Sequence, residues 1–220
     1  KIEYVDPLSE AAEEDLPASE FVWIDDVAPE GANLQQAGHP WEFVEAPAPV
    51  LSGSKATKRT AEGMGQHYFT GAKSPLVIGA GDILFAHVWL DPENPPRGFV
   101  LQFNDGSGEH RAVWGENLID WGKTDSPSRR HQGGLPAVGQ WVRLEVPAER
   151  VGLKPGSKLN GWAFTQYGGT VYWDRAGIVT RTPQAGQPFE SQRAWEPAVG
   201  AGGDLPGRVQ DALKVKVSER

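Results

Sequence analysis

Short runs of alternating apolar residues, separated by turns rich in glycine and proline, constrain the fold of this chain more than any other feature. The clearest run is DILFAHVWLD, in which both alternating sets between Ile83 and Leu90 are largely apolar. A strand that is apolar on both faces lies in the middle of a sheet. The centre of the chain has no stretch with the period of an amphipathic helix. The 27 glycines and 18 prolines of the whole sequence suit many tight turns. We therefore predict an all-β protein.

The spacing of the strands and turns predicts the architecture. RGFVLQFND and EHRAVWG are expected to form a hairpin, SKATKRTA and GQHYFTG to be two short strands, and NGWAFTQYGGTVYWDRAGIV to give two strands around a YGGT turn. About ten short strands without a helical layer are typical of a two-sheet antiparallel β-sandwich of the jelly-roll kind, with a barrel as the alternative. The sandwich is expected at residues 21–181, after an acidic extension at 1–20. A Gly/Pro-rich linker with a short helix is expected at 182–220.

Charge, cysteine content and motifs exclude several classes of function. The formal net charge of -8 disfavours nucleic acid and anionic membrane surfaces as partners. The absence of cysteine excludes thiol catalysis, disulfides, cysteine-ligated metals and haem attached through C-x-x-C-H. No apolar run approaches the ~20 residues needed for membrane insertion, and no G-x-S-x-G, H-E-x-x-H or P-loop motif is present. These observations favour a binding function over catalysis.

The stretch QFNDGSGEHRAVWGENLIDW brings aromatic and polar residues together on the predicted hairpin and in the loop that follows it. Tryptophan rings stack on the apolar face of a sugar, and polar side chains hydrogen-bond its hydroxyl groups. Alternation places Gln102 and Asn104 on one face of their strand, and His110 is expected opposite them. An ordinary solvated sheet face is the alternative. The predicted carbohydrate-binding residues are Gln102, Asn104, His110, Arg111, Trp114, Asp120, Trp121 and Arg130.

The tryptophans are expected to divide between the core and the surface. Trp114 and Trp121 flank the long polar loop at residues 115–138, where we expect partial exposure. Others lie in alternating strands and are expected to fill the core. These core tryptophans are Trp23, Trp89, Trp141 and Trp162.

Three aspartates predict a site for a hard cation. Asp25 and Asp26 open the predicted fold, within the strand FVWIDDVA, and Asp174 lies in its last strand. First and last strands of a sandwich are expected to lie near each other, and Ca²⁺ prefers carboxylate and carbonyl oxygens as ligands. We therefore predict a structural Ca²⁺ held by these three residues, with solvated acidic turns as the alternative.

Six segments of the chain carry a family resemblance: VWIDDVAPEGA, QHYFTGA, GDILFAHVWLDPENPP, LQFNDGSGEHRAVWG, WVRLEVPAERVGL and GWAFTQYGGTVYWDRAGI. Together they resemble a jelly-roll module of large planctomycete proteins that also contain a cytochrome c-like haem domain. The resemblance implies a galactose-binding-like or carbohydrate-binding-module-like sandwich in a protein exported to the periplasm, cell surface or medium. The closing LPGRVQDALKVKVSER is similar to a linker in those proteins, and with Lys1 at the start it suggests a fragment of a longer chain.

Three functions are consistent with the sequence. The first is a non-catalytic carbohydrate-binding module that keeps a larger envelope protein on polysaccharide. The second is a structural domain that docks neighbouring domains of its parent chain. A polysaccharide lyase or hydrolase ranks third, because no partner that would activate a catalytic group can be named. An exposed tryptophan beside Arg111 would favour the first function, and a flat aromatic patch would favour the second.

Overall fold

A computed structural model describes residues 17–34, 40–107 and 110–185. Within these ranges the chain forms strands joined by turns, with one short 3-10 helix at Ala148–Val151 and no helix long and apolar enough to cross a bilayer. The predicted all-β class is confirmed. The strands are β1 (Ser19–Ile24), β2 (Asn33–Leu34), β3 (Glu42–Val44), β4 (Ala56–Thr70), β5 (Leu76–Val77), β6 (Ile83–Leu90), β7 (Gly98–Asn104), β8 (His110–Gly115), β9 (Arg130–Gly133), β10 (Trp141–Pro147), β11 (Lys158–Leu159) and β12 (Gly161–Thr180).

Two long strands, β4 and β12, run side by side and take part in both layers of the fold. The first half of β12 pairs with β7, which leads through β8 to β9. Its second half pairs with β6, which leads to β10, and its end pairs with β1. In the first layer the strands follow the order β9-β8-β7-β12-β4, and β2 pairs with the end of β4. The second layer contains β10, β6, the second half of β12 and β1. The start of β4, paired with β3, also belongs to this second layer. This is the predicted sandwich, except that β8 and β9 are parallel.

A pair of glycines bends β12 where the sequence suggested a turn between two strands. Gly168 and Gly169 have φ angles of 68° and 71°, a region that glycine adopts without strain. A Cβ on Gly169 would lie 2.3 Å from the backbone nitrogen of Pro96. Gln166 Nε2 donates to the carbonyl oxygens of Gly168 and Gly169 at 3.1 and 2.8 Å, so it satisfies acceptors at the irregularity. The pairing with β4 shifts register between Tyr167 and Gly169 and resumes at Gly169, which pairs with Ala61, so the prediction of two strands is wrong.

Three boundaries differ from those predicted. SKATKRTA and GQHYFTG belong to the single strand β4, because its glycines continue the pairing with β12 instead of ending it. β1 begins at Ser19, before the expected start at Phe21. Gln184, in the predicted linker, accepts a hydrogen bond from Val77 N at 2.9 Å and ties that segment to β5. Residues 1–16 and the predicted C-terminal helix lie outside the described ranges.

The core lies between the two layers and consists of inward-facing aromatic and aliphatic side chains. Phe103 and Trp162 pack edge to face with ring centroids 4.6 Å apart. Trp23 and Trp162 are buried as predicted. Each Å² of apolar surface removed from water contributes about 25 cal/mol, so these large rings stabilise the sandwich strongly.

Two tryptophans predicted for the core lie outside it. Trp89 on β6 and Trp141 on β10 are opposite each other and only partly buried. Leu144 of β10 belongs to the core, so alternation turns Trp141 and Arg143 to the outer face of the second layer. Because β6 is apolar on both sides, its sequence did not show which set faced the core.

Candidate functional site

A groove with a volume of about 510 Å³ lies on the outer face of the first layer. It crosses β8, β7, β12 and β4, and part of the loop at residues 116–129 rises beside it. Five of the eight predicted carbohydrate-binding residues line it. These are Gln102, Asn104, Arg111, Asp120 and Trp121.

Side chains that alternate away from the core form the floor of the groove. Gln102 on β7 lies opposite both Arg111 on β8 and Ala163 on β12. Gly161 and Ala163 have little or no side chain, so β12 leaves a depression between its two neighbours. A Cβ on Gly161 would lie 2.6 Å from Phe69 O, so the close approach of these strands requires glycine at that position. The concavity therefore comes from small residues on the middle strand.

Two aromatic side chains stand on opposite sides of this floor. Tyr68 extends from β4, beside Ala163 in the strand register, and Trp121 comes from the loop beyond β8. Both are partly buried. Three strand spacings separate the backbones of β8 and β4, which places them about 14 Å apart. The two rings thus lie on opposite sides of the groove floor.

A second, smaller hydrophobic cluster fixes the loop that carries Trp121. Val100, Val113 and Ile119 are buried together, and Trp121 and Tyr167 pack against them. Val100 and Val113 are paired neighbours on β7 and β8. The apolar half of this sheet face therefore anchors the loop, and the polar half forms the groove floor.

Arg111 lies on the floor with its guanidinium held by the protein. Its Nε donates to Gln102 Oε1 at 3.0 Å, and its Nη1 donates to Ser128 O at 3.1 Å. The guanidinium carbon is 5.9 Å from the centroid of the Trp121 ring, within the range of a cation–π interaction. Arg111 is 8% exposed. It is thus a fixed donor group directly beside the aromatic wall.

Asp120 is at the rim of the groove. Its side chain is 94% exposed, and Oδ1 accepts a hydrogen bond from Arg129 Nη1 at 2.6 Å. Among the described lining residues, Asp120 is the only carboxylate. The groove therefore combines one paired acidic group with neutral amides and the guanidinium of Arg111.

Two predicted binding residues, His110 and Arg130, lie away from the groove. His110 pairs with Phe103 rather than with Gln102, so the expected position opposite Gln102 is wrong by one residue in register. A shift of one residue turns a side chain to the other face of a sheet. His110 Nδ1 donates to Val151 O at 2.7 Å, on the opposite side from Arg111. Arg130 Nε donates to the carbonyl of Arg150 in the same region.

Trp114 also lies away from the groove, and the expectation of its exposure is wrong. It is 7% exposed and stacks on Phe99 with ring centroids 5.2 Å apart. Its strand neighbour Val113 faces outward, so alternation turns Trp114 into the core. Of the two tryptophans that flank the loop, only Trp121 is placed to contact a ligand.

Six residues that line the groove were missed at the level of sequence: Gln66, Tyr68, Phe69, Gly122, Trp162 and Ala163. Gln66 and Tyr68 are two residues apart on a strand, so alternation alone places them on one face. The pairing of β4 with β12 decides whether that face points to the core or to the solvent, and the paired residues are about a hundred positions apart in sequence. Ala163 could not be recognised from its chemistry, because it contributes to the groove only by having a small side chain.

The three predicted metal ligands surround a loop at residues 51–55, where Asp25 and Asp174 are neighbours and Asp26 lies apart from them. Asp174 Oδ2 accepts hydrogen bonds from the amides of Leu51 and Ser52 at 2.8 and 3.1 Å, and Ser52 Oγ donates to Asp25 Oδ2 at 3.1 Å. The remaining oxygens, Asp25 Oδ1 and Asp174 Oδ1, are buried and accept no hydrogen bond from the described residues. Burial, together with the neighbouring Asp25 carboxyl, raises the pKa of Asp174 to about 6.

Asp26 has a different role from its neighbour. Its Oδ1 accepts hydrogen bonds from the amides of Ser54 and Lys55, both at 2.7 Å, and its Oδ2 accepts one from Ser54 Oγ at 3.1 Å. These hydrogen bonds lower the pKa of Asp26, which is partly buried. Asp26 therefore caps the loop, and the described residues contain no cluster of three groups suited to hold a metal ion.

A second aromatic surface lies on the outer face of the second layer. Trp141, Trp89 and Tyr172 are neighbours across β10, β6 and β12, and we call them the aromatic row. Trp89 and Tyr172 meet edge to face, at 87° with centroids 5.2 Å apart. Beside the row, the Arg143 guanidinium carbon lies 4.1 Å from the centroid of the Phe85 ring. This face has aromatic groups but no depression among the cavities described.

Comparison with known proteins gives only distant similarities. No protein-family model and no curated protein matches the chain. A structure of carbohydrate-binding modules from the β-sandwich superfamily is 10% identical, with a TM-score of 0.44, over 76% of this chain and 64% of that chain, less than two thirds of its length. The CBM22-1 xylan-binding domain of Paenibacillus barcinonensis Xyn10C is 12% identical, with a TM-score of 0.38, over 74% and 96% of the two chains.

A third similar structure is the K1 adhesin domain of Lys-gingipain from Porphyromonas gingivalis W83. It is 16% identical, with a TM-score of 0.43, over 73% of this chain and 96% of that one. Because all three TM-scores are below 0.5, the function is inferred from the groove itself.

Proposed function

We propose that this chain is a non-catalytic carbohydrate-binding module that holds part of an oligosaccharide or polysaccharide in the groove. The observation that carries the proposal is the pair of aromatic walls, Tyr68 and Trp121, on either side of a floor with amide and guanidinium groups. Sugars have apolar faces that stack on aromatic rings and equatorial hydroxyl groups that accept and donate hydrogen bonds. Both requirements are met within one cavity.

Each part of the groove has a chemical role in this proposal. Trp121 and Tyr68 contact the two faces of a sugar ring that enters edge first. The amides of Gln102 and Asn104 hydrogen-bond its hydroxyl groups, and Arg111 donates to a ring or hydroxyl oxygen. A mainly hydroxylated ligand also agrees with the net charge of -8, which disfavours polyanions over long distances.

Binding without catalysis is supported by the groups in the groove. Glycoside hydrolysis ordinarily needs two carboxyl groups, one on either side of the scissile bond. Among the described lining residues Asp120 is the only carboxylate, and it is exposed and paired with Arg129. The groove therefore supports holding a sugar better than cleaving one.

A structural Ca²⁺ at Asp25 and Asp174 is part of the same proposal. The two buried oxygens without a hydrogen-bond donor, Asp25 Oδ1 and Asp174 Oδ1, are of the type that Ca²⁺ binds. A bound ion would neutralise the pair and hold the loop at residues 51–55 against β12. Asp26 is left out of this ligand set, since both of its oxygens cap the loop.

The parent protein and the location stay predictions. The resemblance to planctomycete proteins implies an exported, cell-envelope protein with further domains. A module that holds such a protein on polysaccharide would be consistent with that location.

The experiment that tests carbohydrate binding is a glycan array followed by affinity electrophoresis of the full chain in gels that contain xylan, β-glucan, galactomannan or pectin. Each gel is run with CaCl₂ and with EDTA. We expect retardation on at least one polysaccharide. Ala163→Leu fills the floor of the groove and should abolish the retardation, whereas Ala163→Ser keeps the depression and should retain it. Retardation that Ala163→Leu leaves unchanged, or none on any polysaccharide, would refute binding in the groove.

Docking of a neighbouring domain is the second candidate, because Trp89 and Trp141 of the aromatic row are partly exposed on the outer face of the second layer. Aromatic groups are enriched at protein interfaces. Size-exclusion chromatography of this chain with the other domains of its parent tests the idea. Co-elution that is lost in Trp89→Ala would support docking, and failure to co-elute would exclude a stable complex.

A further inference from the structure

The wall residue Trp121 is attached to the rest of the protein on both sides along the chain. On its N-terminal side, Arg129 reaches Asp120, as described above. The same guanidinium donates through Nε to Asn117 Oδ1 at 2.7 Å. Arg129 is 6% exposed although its partner Asp120 is at the surface, so the guanidinium extends from inside the loop toward the rim. It thereby joins the residue directly before Trp121 to the base of the loop.

On the C-terminal side of Trp121, a close backbone contact fixes Gly122. Gly122 has a φ of 77°, and a Cβ there would lie 2.3 Å from Ser128 O. The next amide, that of Lys123, donates to Ser128 Oγ at 2.9 Å. Ser126 Oγ donates back to Lys123 O at 2.6 Å. The segment 126–129 therefore holds the residues on both sides of Trp121.

The floor is connected to the same segment. Arg111 Nη1 donates to Ser128 O, the oxygen that Gly122 approaches. Trp121 itself rests on the small cluster around Ile119. Wall and floor thus share one structural support, the segment 126–129.

We propose that Arg129 is a positioning residue that sets the place of the Trp121 ring before a ligand binds. This inference rests on the proposed carbohydrate-binding function of the groove. Arg129 is not among the lining residues and acts through Asp120 and Asn117. Its planar guanidinium uses two donors at fixed angles, an arrangement that lysine cannot reproduce. A wall that is positioned in advance lowers the entropy lost on binding.

The test uses the full chain labelled with 5-fluorotryptophan and ¹⁹F NMR without ligand, with the Trp121 signal assigned from Trp121→Phe. In Arg129→Lys, we expect the Trp121 signal to shift and broaden while the signals of the core tryptophans stay in place. Asn117→Ala removes one acceptor from an exposed residue and should move the same signal in the same direction. The matched control is Arg143→Lys, which alters the ion pairs of Arg143 with Glu20 and Glu145 on the outer face of the second layer and should leave the Trp121 signal unchanged.

The same variants are titrated with cellohexaose, xylohexaose and mannohexaose. For the hexasaccharide that wild type binds, Arg129→Lys should weaken binding about fivefold, and Arg143→Lys should not. A Trp121 signal that is the same in wild type, Arg129→Lys and Asn117→Ala would overturn the positioning role whatever the sugar result. A wild type that binds none of the sugars would count against the proposed function, and the ¹⁹F comparison would still decide the positioning role. If Arg129→Lys does not fold, Asn117→Ala decides it.

Discussion

The two outer faces of the sandwich both carry aromatic residues, yet only one of them is concave. On the first layer, Tyr68 and Trp121 flank the small residue Ala163. On the second layer, the aromatic row continues across neighbouring strands without a gap, and Trp89 and Tyr172 pack against each other. The presence of several aromatic residues on a sheet face is therefore not enough to form a binding groove. A loop that raises one ring and a small residue that lowers the floor are both needed.

The two faces also differ in what their polar groups do. In the groove, polar groups line an open cavity, although some of them also bond within the protein, as Arg111 does to Gln102. On the second layer, Arg143 pairs with Glu20 and Glu145, and Asp174 accepts the amides of the loop at residues 51–55. The polar groups of the second face are thus used to hold neighbouring strands and a loop together. We infer that the first face binds and that the second face stabilises.

The largest effect is expected from removing the loop wall. Trp121→Ala deletes one stacking surface, and loss of a central aromatic contact costs about 2 kcal/mol, or roughly 30-fold in affinity. Isothermal titration with the tightest-binding oligosaccharide of the array measures it. Trp121→Phe is the control and should recover part of the affinity. If Trp121→Ala bound the oligosaccharide as wild type does, the groove would not be the site.

A smaller effect is expected at the opposite wall. Tyr68→Ala removes a ring that extends from a strand, and we expect about a tenfold loss of affinity in the same titration. Tyr68→Phe keeps the ring and should stay within about threefold of wild type, because one hydrogen bond contributes about 1 kcal/mol or less. Equal losses in both variants would mean that the hydroxyl, and not stacking, is what binds.

The aromatic row should affect stability and not sugar binding. Trp89→Ala removes a partly buried ring and should lower the free energy of unfolding by about 1 to 2 kcal/mol. Its affinity for the oligosaccharide should stay within about twofold of wild type. Chemical denaturation and titration of the same sample measure both quantities. A large loss of affinity with normal stability would move the binding site to the second face.

The smallest effect concerns the carboxyl pair under the loop at residues 51–55. The pKa of Asp174 is raised from 3.8 to about 6 in the folded chain. Below that pH the folded chain binds a proton that the unfolded chain does not yet bind. Protonation of Asp174 therefore stabilises the folded state as the pH falls. In EDTA, the free energy of unfolding of wild type should rise by about 1 kcal/mol between pH 7.5 and 5, relative to Asp174→Asn. Burial lowers the pKa of His87, which acts in the opposite direction, and the comparison with Asp174→Asn cancels that effect.

Calcium provides the control for this measurement. If Ca²⁺ binds the carboxyl pair, added CaCl₂ should raise the stability of wild type at pH 7.5 and leave Asp174→Asn unchanged. A pH dependence that is the same in wild type and Asp174→Asn would show that the pair is not the titrating group.

Local patterns in the sequence predicted where strands occur. The long-range pairing of those strands decided which side chains face the core and which face the groove. The alternation in β6, β7, β8 and β10 was enough to predict those strands and the hairpin of β7 with β8. The same alternation did not reveal that His110 sits one residue out of register with Gln102. Gly168 and Gly169 have the residue types of a hairpin turn, but the pairing of β12 with β4 continues past them with a shift in register.

The site was predictable only in the part that is local in sequence. Gln102, Asn104, Arg111, Asp120 and Trp121 fall within one hairpin and its following loop, so a single stretch contained them. The opposite wall comes from β4, whose position depends on pairing with β12. No composition or spacing indicates such a pairing, which is why Tyr68 and Ala163 were not found.

The most direct test of the contrast between the two faces is an amide chemical-shift map. The ¹⁵N-labelled chain is titrated with the tightest-binding oligosaccharide of the array, and the perturbed amides are located on the fold. We predict the largest shifts at Gln102, Arg111, Trp121 and Ala163. Shifts centred on the aromatic row, with the groove amides unmoved, would contradict the assignment of binding to the groove.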